Sequence, residues 1–117
     1  MEIKELADKI VEILENKKGV DIELIPVSEK TVLADYFVIC SGTSSTHIKA
    51  LADEVEYQLD KAGISVSHIE GYRSNTWILL DYIDVIVNVF SDEAREFYDL
   101  DRLWQDGKAV DLTGIVD

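Results

Sequence analysis

"NTWILLDYIDVIVNVF", residues 75–90, decides the fold, because two runs rich in β-branched and aromatic residues are separated by only a few positions. Runs of this length and composition read as strands, and so short a connection makes them an antiparallel hairpin. With residues 76–81 and 84–90 paired across a two- or four-residue turn, Trp77 lies opposite Asn88, Leu79 opposite Ile86 and Asp81 opposite Asp84. Side chains alternate with a period of two, so Ile78, Leu80, Val85, Val87 and Val89 form a core face. The other face mixes Trp77, Leu79 and Ile86 with Asn88 and the two carboxylates. A solvated sheet face normally holds Thr, Lys and Glu, so this one needs cover, from a helix of the same chain or from a partner. Tyr82-Ile83 is a poor pair for the positive φ angles of the favoured hairpin turns, and a three-residue loop would invert the faces. Two directly opposed carboxylates repel. They call for a cation, a basic partner or water, and a metal would want further ligands nearby.

Outward from the hairpin, the pattern alternates between helix and strand. Upstream, Ile3, Leu6, Ala7, Ile10, Val11 and Leu14 form a stripe at helical spacing over residues 2–17. "VDIELIPV" alternates as a strand in which Pro26 indicates an edge or an end. "DYFVIC" is a short buried strand, and "SGTSS" turns into a second helix over 46–62, with Ser44 or Ser45 as cap and Gly63 closing it. "ISVSHIEGY" reads as a further strand. Beyond the hairpin, "SDEAREFY" has a serine and acidic residues suited to a helix start, and "DLDRLWQDG" continues it by another turn or two. The fold class expected is α+β, a mixed β-sheet with flanking helices in one domain spanning 1–117.

Composition narrows the function. The 117 residues are 47% hydrophobic and 30% charged, which suits a globular core and excludes disorder. No apolar run reaches the roughly 18 residues of a membrane span, and the amino terminus lacks a signal-peptide core, so a cytoplasmic protein with no membrane association is expected. Cys40 is the sole cysteine, which rules out an intrachain disulfide and a cysteine-rich zinc site. With 24 acidic and 11 basic residues the formal charge is −13. Such a chain is repelled by phosphate backbones, so no direct dependence on nucleic acid is expected and a basic protein is the better partner.

An enzymatic reading starts from "SGTSS", which looks like the Gly-Ser turn of the nucleotidyltransferase superfamily, where backbone N–H groups at a helix start cradle phosphate. In that superfamily an Asp-x-Asp pair on the following strand helps hold metals. Here that strand is "SVSHI", without an acidic pair. Asp99 and Asp101 fall in a segment expected to be helical, where residues two apart diverge. His47 and His68 lack partners at ligand spacing. The expectation is therefore no catalytic residues, no metal and no cofactor. Nucleotide binding at Gly42, Thr43, Ser44 and Ser45 remains the alternative.

"ADYFVICSGTSSTHIKALADEV", "WILLDYIDVIVNVF" and "EFYDLDRLW", in this order and spacing, resemble the Iojap family, the ribosomal silencing factors. The resemblance spans residues from about 2 to 105. It implies a nucleotidyltransferase-like fold lacking the catalytic carboxylates. It also implies a non-enzymatic protein that binds the large ribosomal subunit through its universal L-fourteen protein and blocks joining of the small subunit. Organellar relatives imply a role in large-subunit assembly as the alternative. By position, the implied partner surface comprises Trp77, Leu79, Asp81, Tyr82, Asp84 and Asn88, with Phe97, Tyr98, Leu100 and Trp104 from the last motif. Two positions depart from the family pattern: Ile83 stands where glycine is usual, and Asn88 where histidine is usual. Self-association of the free chain as a homodimer is left open, and residues 106–117 carry no usable motif.

Overall fold

The computed structural model describes residues 2–29 and 31–99. Among the described residues eight elements follow one another: α1 (Ile3–Asn16), β1 (Val20–Pro26), β2 (Tyr36–Gly42), α2 (Ser45–Lys61), β3 (His68–Glu70), β4 (Trp77–Asp81), β5 (Val85–Ser91) and α3 (Asp92–Tyr98). The strands form one sheet in the order β1-β2-β5-β4-β3. Only the β2–β5 pair is parallel, so the sheet is mixed, as expected. The third strand is shorter than residues 64–72, and the second helix runs 45–61 instead of 46–62.

Local chemistry accounts for the boundaries. The Ser44 hydroxyl accepts the His47 backbone N–H at 3.0 Å and caps α2. Gly63, at φ +85°, turns the chain away at its other end. At the end of α1 the left-handed residue is Lys18, at φ +62°, not Gly19. Gly19 is needed for space, because a Cβ there would lie 2.5 Å from the Cys40 sulfur. β1 is an edge strand, as Pro26 suggested, and a bulge between Val20 and Glu23 with Asp21 at φ +48° interrupts its alternation.

The sheet has two covered faces. On one, α1 and α2 pack Leu6, Ile10, Leu14, Leu51, Val55 and Leu59 against Val38, Cys40, Ile78, Leu80, Val85, Val87 and Val89. The five hairpin residues expected to face the core are all in this cluster. On the other face, Phe37, Ile39, Trp77, Leu79, Ile86 and Phe90 form a second cluster with Val27, Ala34 and Ala94, and Tyr98 packs against it.

The hairpin register corrects the expected one. Trp77 pairs with Phe90, Leu79 with Asn88 and Asp81 with Ile86, so each partner slides two positions and the faces are kept. The turn is Ile83-Asp84, with the Tyr82 N–H donating to the Val85 carbonyl at 3.0 Å. Asp81 and Asp84 are therefore not opposed. Ile83 takes φ +72° itself, its N–H donating to Asp81 Oδ1 at 2.7 Å, while the Asp84 N–H donates to the Tyr82 carbonyl at 2.9 Å. The side chain of Asp81 supplies the hydrogen bond that makes this turn in place of the one expected from residue preferences.

Candidate functional site

The second face of the sheet gathers most of the residues singled out in the sequence. Trp77, at the start of β4, is 7% exposed. Its indole Nε1–H donates to Asn88 Oδ1 at 3.0 Å, and its ring lies 4.6 Å from the rings of both Phe90 and Tyr98, tilted in each case. α3 thus supplies part of the cover that the mixed face required. Tyr98 in turn meets Phe97 edge-on at 5.1 Å, and Phe97 is 75% exposed. Trp77, Leu79, Asn88 and Tyr98 thus form a largely buried floor, with Phe97 standing beside it in solvent.

Ser74, absent from the residues singled out, places Trp77 on this face. Its hydroxyl donates to the Trp77 carbonyl at 3.0 Å and accepts the N–H groups of Thr76 and Trp77 at 3.2 and 3.1 Å. The Gly-Tyr-Arg-Ser-Asn run before β4 was its only signal, since serine in such a run commonly closes a turn through its side chain. Arg95, also absent, fastens α3 to the sheet through Nη1, donating to Ser41 Oγ at 3.0 Å and the Val20 carbonyl at 3.3 Å. Its Nη2 lies 3.6 Å from Glu23 Oε2. These partners are 54 and 75 residues away in the chain, beyond the reach of any local pattern.

Asn88 is fully buried, and its Nδ2 has no hydrogen-bond partner among the described residues. It can act on a partner only through the Trp77 ring it orients. Tyr82 also departs from the expected grouping. It lies on the α1–α2 face with Ile78 and Leu80, buried, with its hydroxyl unpartnered among the described residues. Burial foremost, and then the nearby carboxylates of Glu56 and Asp60, raise its phenol above the ordinary value. Asp81 is half-buried and Asp84 exposed at the hairpin tip. Leu100 and Trp104 lie outside the described residues, as does the expected helical continuation past Asp99. Asp99 itself is left-handed, at φ +50°, and ends α3.

Two other places bear on chemistry. Cys40 is buried, and that burial pushes its thiol up to about 11, so it is a poor nucleophile near neutral pH. A crevice of about 360 Å³ lies where β2 and β5 lead into α2 and α3, lined by Gly42, Thr43, Ser44, Ser45, Asn75, Thr76, Ser91, Asp92 and Glu93. Carboxylates at its α3 side work against an anion held by the hydroxyl-rich side. Among the described residues no group of three or more His, Cys, Asp or Glu side chains could hold a metal ion, and no helix is long and apolar enough to cross a membrane.

Comparison with known proteins places this geometry in a family. The family described as "Ribosomal silencing factor during starvation" matches residues 1–117. A ribosomal silencing factor from Halalkalibacterium halodurans is 33% identical, covering 99% of each chain. One from Bacillus subtilis is 38% identical over 84% of this chain and 83% of its own. A mouse protein named for mitochondrial assembly of the ribosomal large subunit is 31% identical over 83% of this chain and 44% of its own. A crystal structure of a Chromobacterium violaceum protein superposes with a TM-score of 0.87 at 37% identity, covering 90% of this chain and 88% of that one.

Proposed function

Because the chain belongs to the family of ribosomal silencing factors, we propose that it binds the large ribosomal subunit through the universal L-fourteen protein and blocks joining of the small subunit in the cytoplasm. The observation that carries this reading is an aromatic face built on Trp77 and Tyr98, ending in solvent at Phe97, on a chain of charge −13. An exposed aromatic beside a packed floor suits a protein partner. The charge suits a basic one and disfavours bare RNA. Phe97, Asp81 and Asp84 offer direct contact. Trp77, Leu79, Tyr98 and Asn88 hold the surface in shape, and Tyr82 supports the hairpin from the opposite face. The sequence motifs add Leu100 and Trp104 to this surface.

The activity is non-enzymatic on this reading. A role in large-subunit assembly, the task named for the mouse relative, would use the same binding. Sedimentation of the protein with separated subunits tests it. The protein is expected to pellet with large subunits and not with small ones, and to slow formation of joined ribosomes. Equal sedimentation with both, or unchanged joining at saturating protein, would overturn it. Magnesium-dependent nucleotide binding in calorimetry, lost on changing Ser44 and Ser45, would instead favour the crevice beside α2.

A further inference from the structure

The hairpin tip carries strain that a glycine at the same position would not. At φ +72° the β-branched Ile83 occupies the left-handed region, which glycine or asparagine enters far more readily. Among the described residues, side-chain packing does not offset this. The Ile83 side chain is 66% exposed and belongs to neither buried cluster. The tip is nevertheless tied down. Its N–H is held by Asp81 Oδ1, and the Asp84 carbonyl accepts the backbone N–H groups of Asp35 and Tyr36 at 2.8 and 3.1 Å. Those two bonds fasten the segment between β1 and β2 to the hairpin. That segment carries Val32, fully exposed, and Leu33, half exposed.

Three solvent-facing aliphatic side chains therefore stand at one end of the sheet, on segments linked by backbone hydrogen bonds, with Ile83 next in sequence to Asp84 and two residues from Asp81. We propose that Ile83, Val32 and Leu33 are apolar contacts for a basic protein surface, with Asp81 and Asp84 meeting Lys or Arg side chains around them. This rests on the reading of the previous subsection and extends its surface from the α3 face to a loop outside it. Charge selects the occupant: phosphate, an anionic membrane and a second copy of this chain are all repelled by a chain of −13. A tip already fixed in place loses little freedom on binding, which makes a strained but rigid contact worth keeping.

The test uses the full chain and purified large ribosomal subunits, with Ile83→Gly and the double variant Val32→Ser, Leu33→Ser. Ile83→Gly removes the strain and the side chain together. It is expected to raise the melting temperature while weakening binding at least fivefold. The double serine variant is expected to weaken binding by a similar factor with unchanged melting. If both bind within twofold of the parent, the proposal is overturned and the subunit-binding reading stands. If the parent itself does not bind, both fall. If subunit binding holds while self-association in the ultracentrifuge is lost, the end of the sheet is a contact between copies and the proposal is overturned.

Discussion

Trp77 joins three parts of the second face: it stacks on Phe90 in β5, meets Tyr98 in α3, and gives its indole proton to Asn88. Truncation to alanine removes all three. Removing the buried ring costs about 3–5 kcal/mol, and Asn88 would be left with neither end of its amide satisfied among the described residues, at about 1–3 kcal/mol more. Trp77→Phe keeps an apolar ring but loses the hydrogen bond and part of the buried ring volume, so its melting loss should be smaller than that of Trp77→Ala. Thermal melts beside binding to large subunits check this. Trp77→Ala should melt far lower and bind weakly even in its folded fraction. A large melting loss with normal affinity in that fraction would remove Trp77 from the partner surface and leave it a core residue. The amide at position 88 accepts the indole proton, so the geometry around Trp77 does not depend on imidazole.

In the hairpin, side-chain periodicity could be read from the sequence and strand register could not. Alternation in β4 and β5 was plain, and it assigned Ile78, Leu80, Val85, Val87 and Val89 to the core and Trp77, Leu79 and Asn88 to the opposite face. The register was not legible. It depends on Ile83 adopting a backbone conformation its side chain disfavours, held by an Asp81 carboxylate whose hydrogen bond leaves no periodic trace. Motif position groups Tyr82 with Trp77, whereas the two-residue period carries it to the other side of the sheet with Leu80. Asp81 consequently has a structural role in the turn that Asp84 lacks, besides the partner contact proposed for both. Asp81→Ala should destabilise the protein by about 1 kcal/mol through loss of the bond to the Ile83 N–H, and Asp81→Asn, which keeps an acceptor, should melt near the parent. Asp84→Lys should leave melting unchanged and weaken partner binding, mainly by slowing association, because reversing a rim charge acts on encounter. Equal melting losses for Asp81→Ala and Asp81→Asn, or undiminished association with Asp84→Lys, would contradict these assignments.

Over the whole molecule, the order of helices and strands was readable because each element has a clear period, a cap or a turn residue of its own. The long-range fastenings were not. Arg95 reaching Ser41 and Val20, and α3 closing on Trp77, join segments whose sequences carry no mark of each other. The acidic balance, by contrast, belongs to no single residue and was evident from composition. It is also the property that most strongly separates a protein partner from an RNA one. Titration of the full chain against the isolated L-fourteen protein, free of ribosomal RNA, therefore tests the account most directly. Saturable binding that weakens as salt is raised is expected. Affinity that emerges only when ribosomal RNA is present would contradict it.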